Sequence, residues 1–132
     1  ILQALPILNH EIEGNHNPLE LGLLDLVDFN KGCYLGQETM ARLRKLSSLK
    51  QEIRLWNGSS TEGNNICKNK KIYLNKIKDT IVGYVTSYTF SQNLNVTGLA
   101  IIKNKYLKEP KSFYLEDFGE INIKKSIGSI FL

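Results

Sequence analysis

The sequence predicts an α+β chain that is mostly β, its larger part about six short strands forming an antiparallel barrel or sandwich. Two observations carry this. After Leu49 the residues alternate and become rich in β-branched and aromatic side chains, in short runs separated by Gly, Asn, Asp, Ser and Pro. Before that point Gln37–Lys45 runs without Gly or Pro and closes on Arg42, Arg44 and Lys45, cations suited to a helix C-terminus. With 132 residues, 42% of them hydrophobic and 23% charged, the chain can bury a core of ordinary size.

Taken in order, Ile1–Ile12 is a short apolar stretch broken by Pro6. His10 and His16 follow in a polar segment, six apart and without carboxylate or cysteine neighbours at ligand spacing, which predicts exposed loop histidines rather than a metal site. Asn17 as N-cap, Pro18 at the first helical position and Glu20 in the first turn predict a short helix over Pro18–Leu26, with Leu19, Leu23 and Leu26 on one face. A second helix is expected over Gln37–Lys45.

In the β part, Ile53 and Leu55 point one way and Glu52 and Arg54 the other before Asn57-Gly58 is expected to turn the chain. Ser59–Asn65 reads as a polar loop, and Ile66-Cys67 and Lys71–Leu74 as short strands. Ile81–Phe90 follows, with Gly83 as a bulge or close-packing site, then Val96–Lys103. A turn at Tyr106–Glu109 precedes Pro110, and Ser112–Leu115 and Glu120–Lys125 flank a Phe118-Gly119 bend. Trp56 and the six tyrosines, Tyr34 in the polar loop excepted, are expected to be core and cross-strand pairs rather than a stacking box.

Seventeen Lys and Arg against thirteen Asp and Glu leave a net charge of +4, and five lysines fall within Lys68–Lys78. Such a cluster could meet phosphate, a polyglutamate tail or nucleic acid, but a solvated loop with lysine-protected strand edges is the better reading. Without an RNA-binding signature, nucleic acid is a minor partner class. Cys33 and Cys67 make neither a metal-ligand spacing nor a disulfide framework, so no stable metal is expected and a reducing compartment fits. The apolar runs are far shorter than the ~20 residues of a membrane helix. The chain starts on Ile1 rather than Met, and the natural start is expected to lie upstream.

The chemistry is concentrated in Lys31-Gly32-Cys33-Tyr34-Leu35-Gly36-Gln37-Glu38. Gly32 and Gly36 permit a positive φ or a close approach. A cysteine on such a turn, next to a lysine and just before a helix N-terminus, can be held as a thiolate. Cys33 can equally be a small buried hydrophobe, Lys31 a surface lysine, and Gln37 and Glu38 capping residues.

This stretch resembles the K-G-C-Y-x-G-Q-E signature of the YgfZ-type folate-binding proteins, relatives of the glycine-cleavage T-protein (aminomethyltransferase). Pro18-Leu19-Glu20-x-Gly22-Leu23 and Ala41-Arg42 resemble the flanking segments, and Gly83–Ser87 and Gly98–Ile102 resemble two strands of the family's terminal barrel. The resemblance implies that residues 1–47 are the end of a T-protein-like folate-binding domain and residues 48–132 the C-terminal domain, an antiparallel Greek-key or jelly-roll-like β-barrel of about six strands. It implies a folate-binding accessory protein of iron–sulfur cluster assembly or repair, with iron–sulfur proteins or assembly factors as partners, in the cytoplasm or an organellar matrix. The cofactor is tetrahydrofolate or a derivative, and its binding is expected to need the part upstream of this chain. Cys33 is then the functional thiol, and Lys31, Gly32, Tyr34, Gly36, Gln37, Glu38 and Arg42 are motif or ligand-binding candidates. A transient cluster ligand, a mixed-disulfide partner and an acceptor of a folate-borne group are all open roles for one thiolate. The competing readings are an aminomethyltransferase passing a one-carbon unit to tetrahydrofolate, and a non-catalytic basic barrel contacting RNA or a protein.

Overall fold

Alternating β-branched residues build six strands, β1 Gln51–Ser59, β2 Lys71–Tyr73, β3 Ile81–Phe90, β4 Asn95–Lys103, β5 Phe113–Leu115 and β6 Gly119–Ser126, preceded by helix α1 over Gln37–Leu46. The computed structural model describes residues 5–46, 49–59, 66, 68–90, 95–108 and 112–126. The strands close into one antiparallel barrel in the order β1-β4-β3-β2-β5-β6, one of the two architectures that the pattern allows and the one that the resemblance implies. Placing β1 beside β4, not β2, is a Greek-key connection. No helix among the described residues is long and apolar enough to cross a membrane.

The barrel interior is filled by Trp56, Ile72, Val82, Val85, Val96, Ala100, Ile102, Phe113, Leu115 and Ile121. Trp56 is fully buried and meets Phe118 edge-on at 6.0 Å, so it is core, as its strand position predicts. Strand β4 is buried on both faces, which explains its unbroken apolar run. Its Leu99 and Ile101 join Ile53 and Leu21 in a second cluster, against which Leu23, Leu55 and Tyr84 pack. The segment before α1 is thereby clamped to the barrel, and the Ile53 N–H donates to the Glu20 carbonyl at 2.7 Å to continue the join.

Four expectations are corrected. Asn57-Gly58 is not a turn: β1 continues through it, pairing Asn57 with Thr97 and Gly58 with Val96. The glycine is there because a Cβ would lie 2.6 Å from the Phe118 ring. Ile66 is buried in the core without belonging to a strand, and Cys67 lies outside the described residues, as do most of Ser59–Asn65 and Pro110. The helix expected over Pro18–Leu26 stops after one turn. Asn17 and Glu20 form a reciprocal cap, Glu20 N–H to Asn17 Oδ1 at 3.0 Å and Asn17 N–H to Glu20 Oε2 at 3.4 Å. Gly22, at φ 69°, then ends the turn, with Leu23 N–H reaching the Pro18 carbonyl at 2.9 Å and Gly22 N–H the Leu19 carbonyl at 3.2 Å, a Schellman pattern. A 3-10 turn over Leu24–Leu26 follows. Finally, Glu11 is buried, although it sits in a stretch that reads as merely apolar. Its carboxylate accepts the Ser87 hydroxyl at 2.6 Å and the Ile7 N–H at 3.1 Å, tying residues 7–12 to β3.

Because the cap holds the turn that carries Leu19 and Leu21 onto the barrel, Asn17→Ala is expected to lower stability by about 1 kcal/mol in chemical denaturation.

Candidate functional site

The signature stretch is a loop closed by its own polar side chains. Asp28 Oδ1 accepts the N–H groups of Asn30 at 2.8 Å and Lys31 at 3.2 Å, an Asx-turn that starts the loop. Gln37 closes it, its Oε1 accepting the Tyr34 N–H at 3.3 Å and its Nε2 donating to the Phe29 carbonyl at 3.2 Å. Gly36 takes φ 87°, and its carbonyl accepts the Met40 N–H at 3.0 Å, so the backbone turns directly into α1. Arg44, one face further along α1, lies over the Phe29 ring at 4.7 Å and holds the helix against the loop.

Cys33 is an exposed free thiol in the middle of this loop, which disposes of the buried-hydrophobe reading. Lys31 Nζ lies 5.4 Å from the centre of the Tyr34 ring, a cation–π contact on the same side of the loop. Glu38 and Arg42 are exposed on the first turns of α1, and the Gln37 amide is the loop staple just described. Gly32 has no positive φ and open space where a Cβ would be, so nothing in the described structure explains its glycine.

Beside the loop runs a cleft of about 540 Å³ between the loop, residues 26–28 and α1. Leu26, Leu35 and Met40 give it apolar walls, with Leu35 fully exposed at the rim, and Lys31, Tyr34, Asp28, Asn17 and Thr39 supply its polar side. The Tyr34 hydroxyl is buried and has no hydrogen-bond partner. The apolar walls suit a flat ring system, and Lys31 is the one cation in the lining that could meet an anionic group on it, set against the Asp28 carboxylate.

A second group of side chains escaped the sequence reading. His16 is not an exposed loop histidine: its side chain is 11% exposed, with Nε2 2.8 Å from the Tyr84 hydroxyl and Nδ1 3.3 Å from Gln51 Nε2 and 3.5 Å from Glu20 Oε2. Gln51 and Tyr84 come from β1 and β3, so no spacing in the chain advertises them, while Glu20 stands four residues along the same segment. Burial first, and then the nearby Glu20 and Glu13 carboxylates, push the Tyr84 pKa above its usual 10.0. The neutral phenol is therefore favoured in the folded state. Its contribution to stability is complete below pH 10 and is lost as pH rises through the raised folded value. An ultraviolet absorbance titration is expected to show one tyrosine ionising later than the others, and Tyr84→Phe to remove that late step.

The lysine cluster is partly neutralised. Lys68 pairs with Glu13, and Lys70 Nζ lies 2.6 Å from Asp117 Oδ2. The hydrogen bonds and charges of these lysines hold both carboxyl groups below their ordinary pKa. Among the described residues no three His, Cys, Asp or Glu side chains gather as a metal site.

No family model matches the chain. An aminomethyltransferase of Caldanaerobacter subterraneus is 33% identical over 104 residues, which is 78% of this chain and 26% of that protein. A tRNA-modifying protein YgfZ of Vibrio atlanticus is 39% identical over 64 residues, 47% of this chain and 20% of that protein. This chain is related to the YgfZ proteins and the aminomethyltransferases. A chloroplastic protein of Arabidopsis thaliana, provisionally named a transferase, is 38% identical over 95 residues, 70% of this chain and 20% of its own length. The chain thus spans about a fifth to a quarter of the length of these relatives. The closed six-stranded barrel is the T-protein and YgfZ-like fold that the motif implied.

Proposed function

We propose that this chain is part of a folate-binding accessory protein acting in iron–sulfur cluster assembly or repair, with Cys33 as its working thiol. The observation that carries the reading is the exposed Cys33 on a loop stapled by Asp28 and Gln37, next to a cleft lined in part by Lys31 and Tyr34, whose hydroxyl has no partner. A reagent thiol has to be reachable and held in place, and this one is both.

The names of the relatives support a tetrahydrofolate-type cofactor, and the cleft's residues fit part of one. Leu26, Leu35 and Met40 would lie against its rings, Lys31 would take a glutamate carboxylate, and the Tyr34 hydroxyl would find the partner it lacks. When bound, a folate supplies a carrier for one-carbon units. Gly36 and Gln37 keep the loop in register with α1, and Glu38 and Arg42 stand exposed on its first turns. A cytoplasmic or organellar setting agrees with the bacterial and chloroplastic relatives.

The second reading is an aminomethyltransferase, favoured by relatives of that name that align with 78% of the chain. The test is made on the full-length protein, with calorimetry of tetrahydrofolate binding and an assay of aminomethyl transfer from a lipoyl carrier. Folate binding without transfer is the expected result. Transfer at enzymatic rates hands the protein to the second reading, and absence of folate binding sinks both.

A further inference from the structure

An open groove of the barrel lies at the end where α1 gives way to β1, with a volume of about 900 Å³. Five cations line it, Lys50, Arg54, Lys103, Lys105 and Lys108, against the single carboxylate of Glu52. That excess of four equals the net charge of the whole chain, +4, so outside this groove acids and bases balance. The sequence does not display the cluster, because Lys50 and Arg54 come before and within β1 while Lys103 ends β4 and Lys105 and Lys108 follow it, some fifty residues on. Antiparallel pairing of Gln51 with Lys103 brings the two groups together.

The groove is built rather than incidental. Asn104 N–H donates to the Lys50 carbonyl at 3.0 Å and Asn104 Nδ2 to the Leu49 carbonyl at 2.9 Å, locking the two cation-bearing segments side by side. Glu52 is already committed to Arg54 in an ion pair, and Arg54 Nε is buried without a partner. Lys103 donates to the Ile81 carbonyl at 3.1 Å and Lys105 sits 4.7 Å over the Tyr106 ring, contacts that position both ammonium groups without cancelling their charge. Lys50 and Lys108 have no ion-pair partner among the described residues. The contrast is with Lys68 and Lys70, in the cluster that the sequence does display, which are paired with Glu13 and Asp117.

From this we infer that the groove holds the phosphodiester backbone of a nucleic-acid strand, in a sequence-independent manner. Lysine ammoniums act as point charges for phosphate, and the one guanidinium is engaged by Glu52, so bidentate reading of base edges is not provided for. The groove also has apolar surface, Leu49 and Leu107, between its cations. A nucleotide chain alternates a negative charge with a sugar and a flat ring that can lie on such surface, whereas a polycarboxylate chain offers charge alone.

The test uses the full-length protein and a fluorescently labelled oligouridylate of about 12 nucleotides, followed by anisotropy across a salt series. Binding is expected to weaken with salt. Lys105→Glu/Lys108→Glu should cost at least about tenfold in affinity and flatten the slope of log K against log salt by about 1.4, two phosphate contacts on a single strand. Lys71→Glu/Lys76→Glu changes net charge by the same amount on another face and should cost less than about threefold. Circular dichroism confirms that both variants fold, as exposed side chains permit. Undetectable binding at low salt, equal losses from the two variants, or equal affinity for a polyglutamate peptide of the same length would each overturn the inference.

Discussion

Gly98→Ala is expected to cost about 3 kcal/mol or more, a large share of the roughly 5–15 kcal/mol that holds a domain together. A Cβ at that position would lie 2.2 Å from the Ser87 carbonyl oxygen and 2.7 Å from Trp56 Nε1. Neither can give way. Ser87 is paired into β3 opposite β4, and Trp56 fills the barrel with none of its surface exposed. Gly83 is in the same position, with the Ile101 carbonyl oxygen 2.1 Å from its virtual Cβ, and Gly83→Ala should be comparably severe. Shrinking Trp56 in the Gly98→Ala background should not rescue it, because the backbone contact with Ser87 remains. Gly36 is the informative contrast. It takes φ 87° but faces open space, so Gly36→Ala should cost only the left-handed penalty of about 1–2 kcal/mol, and Gly32→Ala close to nothing. Denaturant midpoints for the four variants give the ranking directly. A Gly98→Ala protein within 1 kcal/mol of the parent would mean that β1, β4 and β3 are not packed at the spacing described.

Those glycines also show which features of the fold could be read from the chain. The strands were legible because period-two alternation and β-branching are local, and Gly83 announced a close approach because a glycine inside an apolar strand has few other uses. Gly58 was misread for a related reason. Asn-Gly is a strong hairpin signal when only neighbours are considered, but the residue that decided its role, Phe118, is sixty positions away. The Pro18–Leu26 helix failed on a local signal given too little weight, since Gly22 in a left-handed conformation closes a Schellman turn whatever follows. Three of the features that matter most to a functional reading are long-range. His16 gains Tyr84 and Gln51, Glu11 gains Ser87, and Lys50 gains Lys103 and Lys105, all through barrel closure. Composition gave the charge and not its location. The signature loop was the opposite case: Asp28, Gln37 and Gly36 act on residues within nine positions of themselves, so a contiguous motif sufficed to mark the site.

Cys33→Ser in the full-length protein is expected to abolish complementation of an iron–sulfur enzyme in cells lacking the parent, while leaving stability unchanged. The second half of that statement makes the first interpretable. An exposed side chain that packs against nothing contributes little to folding, and substitutions at such positions stay within about 0.5 kcal/mol. Serine keeps the shape but replaces the thiol with a hydroxyl, a far weaker acid and nucleophile, so thiolate chemistry is what is lost. The staple is the control. Gln37→Ala removes the side chain that bonds the Tyr34 N–H and the Phe29 carbonyl, and should loosen the loop while leaving the thiol intact. Partial activity is expected from it, with faster labelling of Cys33 by a thiol reagent. If the thiol is a reagent, the two variants separate cleanly, one chemically dead and folded, the other active at a reduced level. Full activity of Cys33→Ser would leave the loop as a structural turn and shift the chemistry to the Lys31 and Tyr34 side of the cleft, where Lys31→Ala and Tyr34→Phe would be the variants to read.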